Sequence, residues 1–319
     1  MKILVPLNHR EDIRPFSVAG ADELYLGFYD EEWTKRFGKY MDINRMSGFG
    51  KLANRYSFSE LIDIIREIRS ENIAAFVTMN ANVYNTEALA WIEEHFFPSL
   101  VEAGASGVIV STESIAKIAI SYGLQVIAST MLGLYNSDII HYYRELGIRR
   151  MIVPRDLSLQ EIAMIHEKVP DIDLEAFFMR NGCVFSDSYC LGTHRRECGS
   201  TCGSLKALRK QIFSGSADFH SKHEIELNDM LYHNYFHRDA CGMCALYRMH
   251  QNGVTSLKIV GRADDPGSVA EDIRLTKENL KIMASCSCEQ EYLDNMIFPH
   301  SSYTQCKLGL SCYYPEVRF

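Results

Sequence analysis

The sequence predicts an α/β fold, a (β/α)8 TIM-type barrel with a Cys-rich insertion between strands 7 and 8 and a short Cys-bearing C-terminal tail. Three observations predict it. Short apolar, β-branched runs recur, each followed by a segment of helical period, and repeated βαβ units force a parallel sheet. The runs are mostly continuous rather than alternating, which suits strands covered on both faces. Several helical segments stop at a glycine just before the next strand, namely Gly104, Gly123, Gly147 and Gly253.

The expected strands, in order, begin with Lys2–Leu7 (KILVPL), then Glu23–Phe28 (ELYLGF) behind a tight turn at Gly20–Asp22, and Ile73–Asn80 (IAAFVTMN). Ser106–Ser111 (SGVIVS), Gln125–Thr130 (QVIAST) and Arg149–Arg155 (RRMIVPR) follow. Asp173–Arg180 (DLEAFFMR) and Ser256–Arg262 (SLKIVGR) complete the eight. Phe58, Leu61, Ile62, Ile65 and Ile68 share one helical face, with Ser57 or Ser59 placed to cap it. Thr86 opens a helix through Leu89, Ile92, Phe96 and Leu100 that Pro98 should kink or split. Ser158 and Glu161 have capping-box spacing. The polar, glycine-bearing stretch Gly38–Asn54 reads as a lid over the barrel. Residues 1–284 are expected to form the barrel, including an insertion at 181–244, and residues 285–319 an extension.

With 319 residues, 47% hydrophobic and 23% charged, the chain can bury one large core. No apolar run is long enough to span a membrane, and the start lacks the pattern of a secretory leader. Both point to the cytoplasm, where thiols stay reduced. Ten cysteines there argue for metal or catalysis over disulfides. A net charge of −8 and a pI near 5.8 exclude a general polyanion binder, so an RNA substrate would need a local basic patch.

The cysteines are spaced Cys183-x6-Cys190-x7-Cys198-x3-Cys202, followed by Cys241-x2-Cys244. Thiolates suit soft metals, and an iron–sulfur cluster usually takes four of them. A four-thiolate zinc site is the alternative. Any one cysteine can instead be a small buried hydrophobe, a reading that suits Cys244 and one of Cys198 and Cys202. In the tail, Cys286, Cys288, Cys306 and Cys312 form either a second metal site or an accessory set that touches the first. His194, His220, His223, His233 and His237 cluster in the insertion, where solvated loop histidines are the commoner case. No HExxH, GxSxG or phosphate-binding glycine loop is present.

Barrels of this type place catalytic groups at the C-terminal ends of their strands. Thr78, Asn80, Ser129, Thr130, Arg155, Arg180, Lys258 and Arg262 occupy those positions, and Asn136 follows the fifth strand. Arg155, Lys258 and Arg262 are the expected catalytic cations. Asn80, Thr130 and Arg180 are the expected cofactor-binding groups. Such cations suit an anionic, carboxylate-bearing small-molecule cosubstrate. The competing expectation pairs Arg155 with Asp156 or Glu161, and Arg262 with Asp264 or Asp265. Strand alternation puts Lys258 and Arg262 on one face, expected to be the barrel interior.

Four stretches together resemble the peptidase U32, or collagenase-like, family: GADELYLGF, TMNANVYNTE, ELGIRRMIVPRDLSLQEI and NGVTSLKIVGR. The resemblance runs along almost the whole barrel. It implies a four-cysteine 4Fe-4S cluster, with Cys183 and Cys190 matching the first two ligands and Cys241 the last. The third falls on Cys198 or Cys202. The loop between Cys190 and Cys198 is shorter than the family's, and Asn181-Gly182 replaces its His-Gly. The resemblance also implies oxygen-independent hydroxylation of an RNA base or a small-molecule precursor such as a quinone precursor. The alternatives are a peptidase, as the family's name asserts, and a zinc-stabilised barrel acting as a binding or partner subunit. A homologous partner chain is a further expectation.

Overall fold

All eight apolar runs become strands, and each pairs in parallel with the next until the last closes on the first. They are β1 (Lys2–Pro6), β2 (Glu23–Leu26), β3 (Ala74–Met79), β4 (Gly107–Val110), β5 (Gln125–Ala128), β6 (Arg150–Ile152), β7 (Asp173–Met179) and β8 (Val254–Ile259). The computed structural model describes residues 1–38, 41–183, 186–188, 240–262, 264–299 and 312–317. Cys190, Cys198, Cys202, Cys306 and the five clustered histidines lie outside the described residues.

Helices fill the connections and bury one face each. Ser57 and Glu60 form a capping box for the helix Phe58–Ser70, which buries Leu61, Ile64, Ile65 and Ile68. Ser158 and Glu161 do the same for Leu159–Lys168. Pro98 splits the third connection into Thr86–His95 and Phe97–Glu102, since proline is tolerated only in a helix's first turn. Gly104, Gly123, Gly147 and Gly253 all have positive φ, the left-handed conformation that ends a helix. Among the described residues no helix is long and apolar enough to cross a membrane.

Several strands end earlier than the sequence suggests. β6 stops at Ile152 because Pro154 has no N–H for the ladder. β8 stops at Ile259, ahead of Gly261 at φ 108°. β7 gives way to Arg180 and Asn181, both at positive φ. Arg155, Arg180 and Arg262 therefore stand just beyond the ladder, where their side chains can turn toward the mouth or the flank.

The tail returns to this same end of the barrel. Cys241 bridges antiparallel to Met179 and parallel to Cys312, so residues on either side of β8 meet at the tip of β7. Tyr313 N–H donates to the Cys241 carbonyl at 2.9 Å, and Tyr314 Oη donates to the Phe177 carbonyl at 3.1 Å. Glu316 accepts from the N–H of Leu159 at 2.7 Å. Tyr313 and Tyr314 are buried by these contacts.

Candidate functional site

The barrel interior holds charge on residues that β register brings level. Leu4 pairs with Glu23 on one side and Lys258 on the other, and Glu175 pairs with Ile152 and Ser256. Arg150 donates to Glu175 at 2.9 Å and also meets Glu23 and Ser256. Lys258 Nζ donates to Glu175 at 2.9 Å and lies 4.1 Å from the centre of the Tyr25 ring. Two carboxylates and two cations thus balance inside an apolar shell, as buried charges must. Burial works to raise the Glu175 carboxyl, but Lys258 and Arg150 outweigh it and hold it below the ordinary range. Burial pulls the Lys258 ammonium down, with Glu175 opposing. Tyr25 is pushed up to about 12, chiefly by burial.

Above this layer three cations converge at the mouth. Arg155 grips Asp187 with two nitrogens, at 2.8 and 3.3 Å, and its guanidinium lies 4.1 Å from the Phe177 ring centre. Its third bond goes to the Asn181 carbonyl at 3.0 Å. Arg45 reaches the same Asp187 at 3.3 Å, and its backbone N–H donates to Asn80 at 3.3 Å. Burial raises the Asp187 carboxyl, yet Arg155 and Arg45 prevail and leave it below its ordinary value. Arg262 is different. It donates to the Thr78 hydroxyl at 3.1 Å and lies 5.3 Å from the Tyr25 ring, while its other terminal nitrogen is buried without a hydrogen-bond partner. No carboxylate pairs with it among the described residues. Burial lowers its affinity for the proton, with Tyr25 opposing.

The competing ion pairs do not form. Arg155 takes Asp187 rather than Asp156 or Glu161, because Asp156 accepts from Tyr135 and Glu161 is held in its capping box. Asp265 caps the helix Pro266–Ser285, and Asp264 faces Arg180 and Asn181. Arg262 is thereby left to the interior, on the same side as Lys258. Arg180 binds Asp272 and Asp264 on the flank and fixes the turn that leads to Cys183. Asn80 and Thr130 are both buried at the mouth.

The stretch expected as a lid is anchored. Asn44 and Asn54 exchange side-chain hydrogen bonds at 3.1 and 3.3 Å and are buried over Gly27. A Cβ on Gly27 would come within 2.0 Å of Asn54 Oδ1, so this close approach requires glycine. The Tyr84 hydroxyl further ties the stretch down, donating to the Ile43 carbonyl at 2.6 Å.

Sulfur donors gather on the same face. Cys183 follows β7 by four residues and lies close enough to Arg155 to influence it electrostatically. Cys241 is bridged to Met179, and its Sγ accepts the Met243 N–H at 3.3 Å. Cys183 and Cys241 are the described members of the donor set that a thiolate-held metal centre would use. Cys286 behaves otherwise, since its Sγ donates to the Ile282 carbonyl at 3.1 Å as a protonated thiol does. Among the described residues no three ligating side chains are close enough to hold a metal alone.

Arg45, Asp187, Tyr25, Glu23, Arg150 and Glu175 complete the site without having been singled out from the sequence. A signal existed for three of them. Glu23, Arg150 and Glu175 are charges set inside otherwise apolar strands, where they cannot be solvated. Asp187 and Arg45 come from loops and carried no such mark.

The model of peptidase family U32 matches residues 9–302. A "Collagenase" of Porphyromonas gingivalis is 20% identical over 301 residues, covering 91% of this chain and 68% of the relative. A "tRNA hydroxylation protein P" of Helicobacter pylori is 24% identical over 193 residues, covering 60% of this chain and 42% of the relative. A "23S rRNA 5-hydroxycytidine C2501 synthase" of Escherichia coli is 22% identical over 274 residues, covering 83% of this chain and 37% of the relative. The chain thus spans less than half the length of the two RNA-directed relatives.

Proposed function

The chain belongs to the peptidase U32 family, and from that premise we propose that it is an iron–sulfur enzyme of the oxygen-independent hydroxylation type. Its substrate would be an RNA base or a small-molecule precursor in the cytoplasm. The observation that carries this reading is one juxtaposition. Cys183 and Cys241 stand at the tip of β7, beside a mouth where half-buried Arg262 has one terminal nitrogen shut off from solvent and no carboxylate partner among the described residues. Thiolates there suit a redox-active metal centre, and such a guanidinium suits an anion that arrives with the reaction. Relatives named for tRNA and rRNA hydroxylation support the reaction class.

In this reading Cys183, Cys190, Cys241 and one of Cys198 and Cys202 hold a 4Fe-4S cluster. When bound, the cluster supplies one-electron chemistry at the barrel mouth. Arg262, Lys258 and Arg155 orient an anionic cosubstrate, with Asn80 and Thr130 bordering it. Arg180 holds the turn on which Cys183 is carried. Asp187 keeps Arg155 and Arg45 fixed, while Glu175 keeps Lys258 aimed upward between Tyr25 and Arg262. A homologous partner chain would supply surface for a large RNA.

Anaerobic purification followed by iron, sulfide and zinc analysis tests the reading. A brown protein with iron and labile sulfide is the expected outcome. A colourless protein with stoichiometric zinc supports a zinc-stabilised binding subunit instead. Peptide or gelatin cleavage by the pure protein, without iron, supports a peptidase.

A further inference from the structure

We propose that Cys312, in the returning tail, is a thiolate ligand of the same metal centre as Cys241. The inference rests on the metal-centre reading above and gives Cys312, from a separate part of the chain, the place that reading left to one of Cys198 and Cys202. Its geometric basis is the parallel bridge between Cys241 and Cys312. Residues level in neighbouring strands have backbones about 4.7–4.9 Å apart and send their side chains to the same side. Two thiols so placed lie within reach of one ion or one cluster.

The pairing is held firmly. Tyr313 N–H donates to the Cys241 carbonyl, Tyr313 Oη donates to the Arg180 carbonyl, and Tyr314 Oη donates to the Phe177 carbonyl. The Tyr313 ring stacks on Phe177, centroids 6.1 Å apart, and the Arg155 guanidinium lies 4.1 Å from the same ring's centre. The tail thereby fixes the residue after Cys312 against the residues that shape the mouth. Cys286 shows the contrasting case, a tail thiol that donates to the Ile282 carbonyl of its own helix.

The test uses the full chain purified anaerobically, with Cys312→Ser, Cys312→Ala, Cys241→Ser and Cys286→Ser beside the wild type. Iron, sulfide and zinc per chain, the visible spectrum and metal release to excess chelator are measured, with far-UV circular dichroism as the check on folding. Cys312→Ser is expected to release metal about 10- to 100-fold faster than wild type, and Cys286→Ser at the wild-type rate. Alkylation of the wild type, mapped by mass spectrometry, needs no variant. Cys312 and Cys241 should be protected together and exposed together on chelation. Unchanged metal content and release in both Cys312 variants, or alkylation of Cys312 at one rate with and without metal, overturns the assignment while leaving the iron–sulfur reading intact. Zinc in the wild type, lost from Cys312→Ser, keeps the assignment and overturns iron. A wild type that holds no metal overturns both.

Discussion

Lys258 Nζ lies 2.9 Å from Glu175 Oε1 inside the barrel, and the other oxygen of Glu175 serves Arg150. One carboxylate thus holds two buried cations. Glu175→Gln is expected to cost about 3–5 kcal/mol, the usual result of breaking a buried pair from one side. Lys258→Met should cost less, because Glu175 keeps Arg150. Urea unfolding of the two variants checks the order, and equal losses would contradict it.

Arg262→Gln separates binding from stability. Its buried nitrogen without a partner costs the fold its desolvation, which offsets the bond to Thr78, so the unfolding midpoint should hold or rise. Affinity for a carboxylate probe such as malonate should fall about 10- to 100-fold, the worth of a charge-assisted hydrogen bond. Calorimetric titration of wild type and variant reads both arms. An unchanged affinity removes Arg262 from the anion site.

Acid should loosen the mouth through Asp187 and Glu175. Both carboxyls lie below their ordinary values, 3.8 and 4.5, when the chain is folded. Their stabilisation is complete above those values and is lost as pH falls through the lower, folded-state values. Asp187→Asn should lower stability at neutral pH and flatten the decline below about pH 4. Unfolding midpoints measured from pH 7 down to pH 3 give the slope. An identical acid limb in wild type and variant would refute the assignment.

Gly27→Ala should act through its neighbours. The added methyl meets Asn54 at 2.0 Å and both Asn44 and Thr78 at 3.0 Å. Overpacking of this kind costs about 1–3 kcal/mol. The displaced asparagine pair should also free the 41–54 stretch, seen as faster amide exchange there than in the wild type. Unaltered exchange would show that the pair has another anchor.

The strands were legible because an apolar run covered on both faces leaves few alternatives, and the caps at Ser57 and Ser158 because their partners are local. Lys258 and Arg262 do meet at the Tyr25 ring, although the strand alternation that suggested it ends at Ile259. Other neighbours at the mouth were not legible. Asp187 meets Arg155 across 32 residues and Arg45 across 142, distances over which no pattern in the chain records a contact. Strand ends were overextended where backbone geometry, at Pro154, Arg180 and Gly261, takes the chain out of the ladder. For Cys312 the sequence left a separate site and contact with the first set as equal alternatives, and the fold brings it beside Cys241.

The seat of the tail gives one strand two kinds of neighbour. Residues 312–317 follow β8 in the chain yet rest on the tip of β7, next to a residue that precedes β8. Their contacts run to Phe177, Arg180, Cys241 and Leu159, so the wall they add to the mouth hangs on β7 and its flanks and not on the strand they follow.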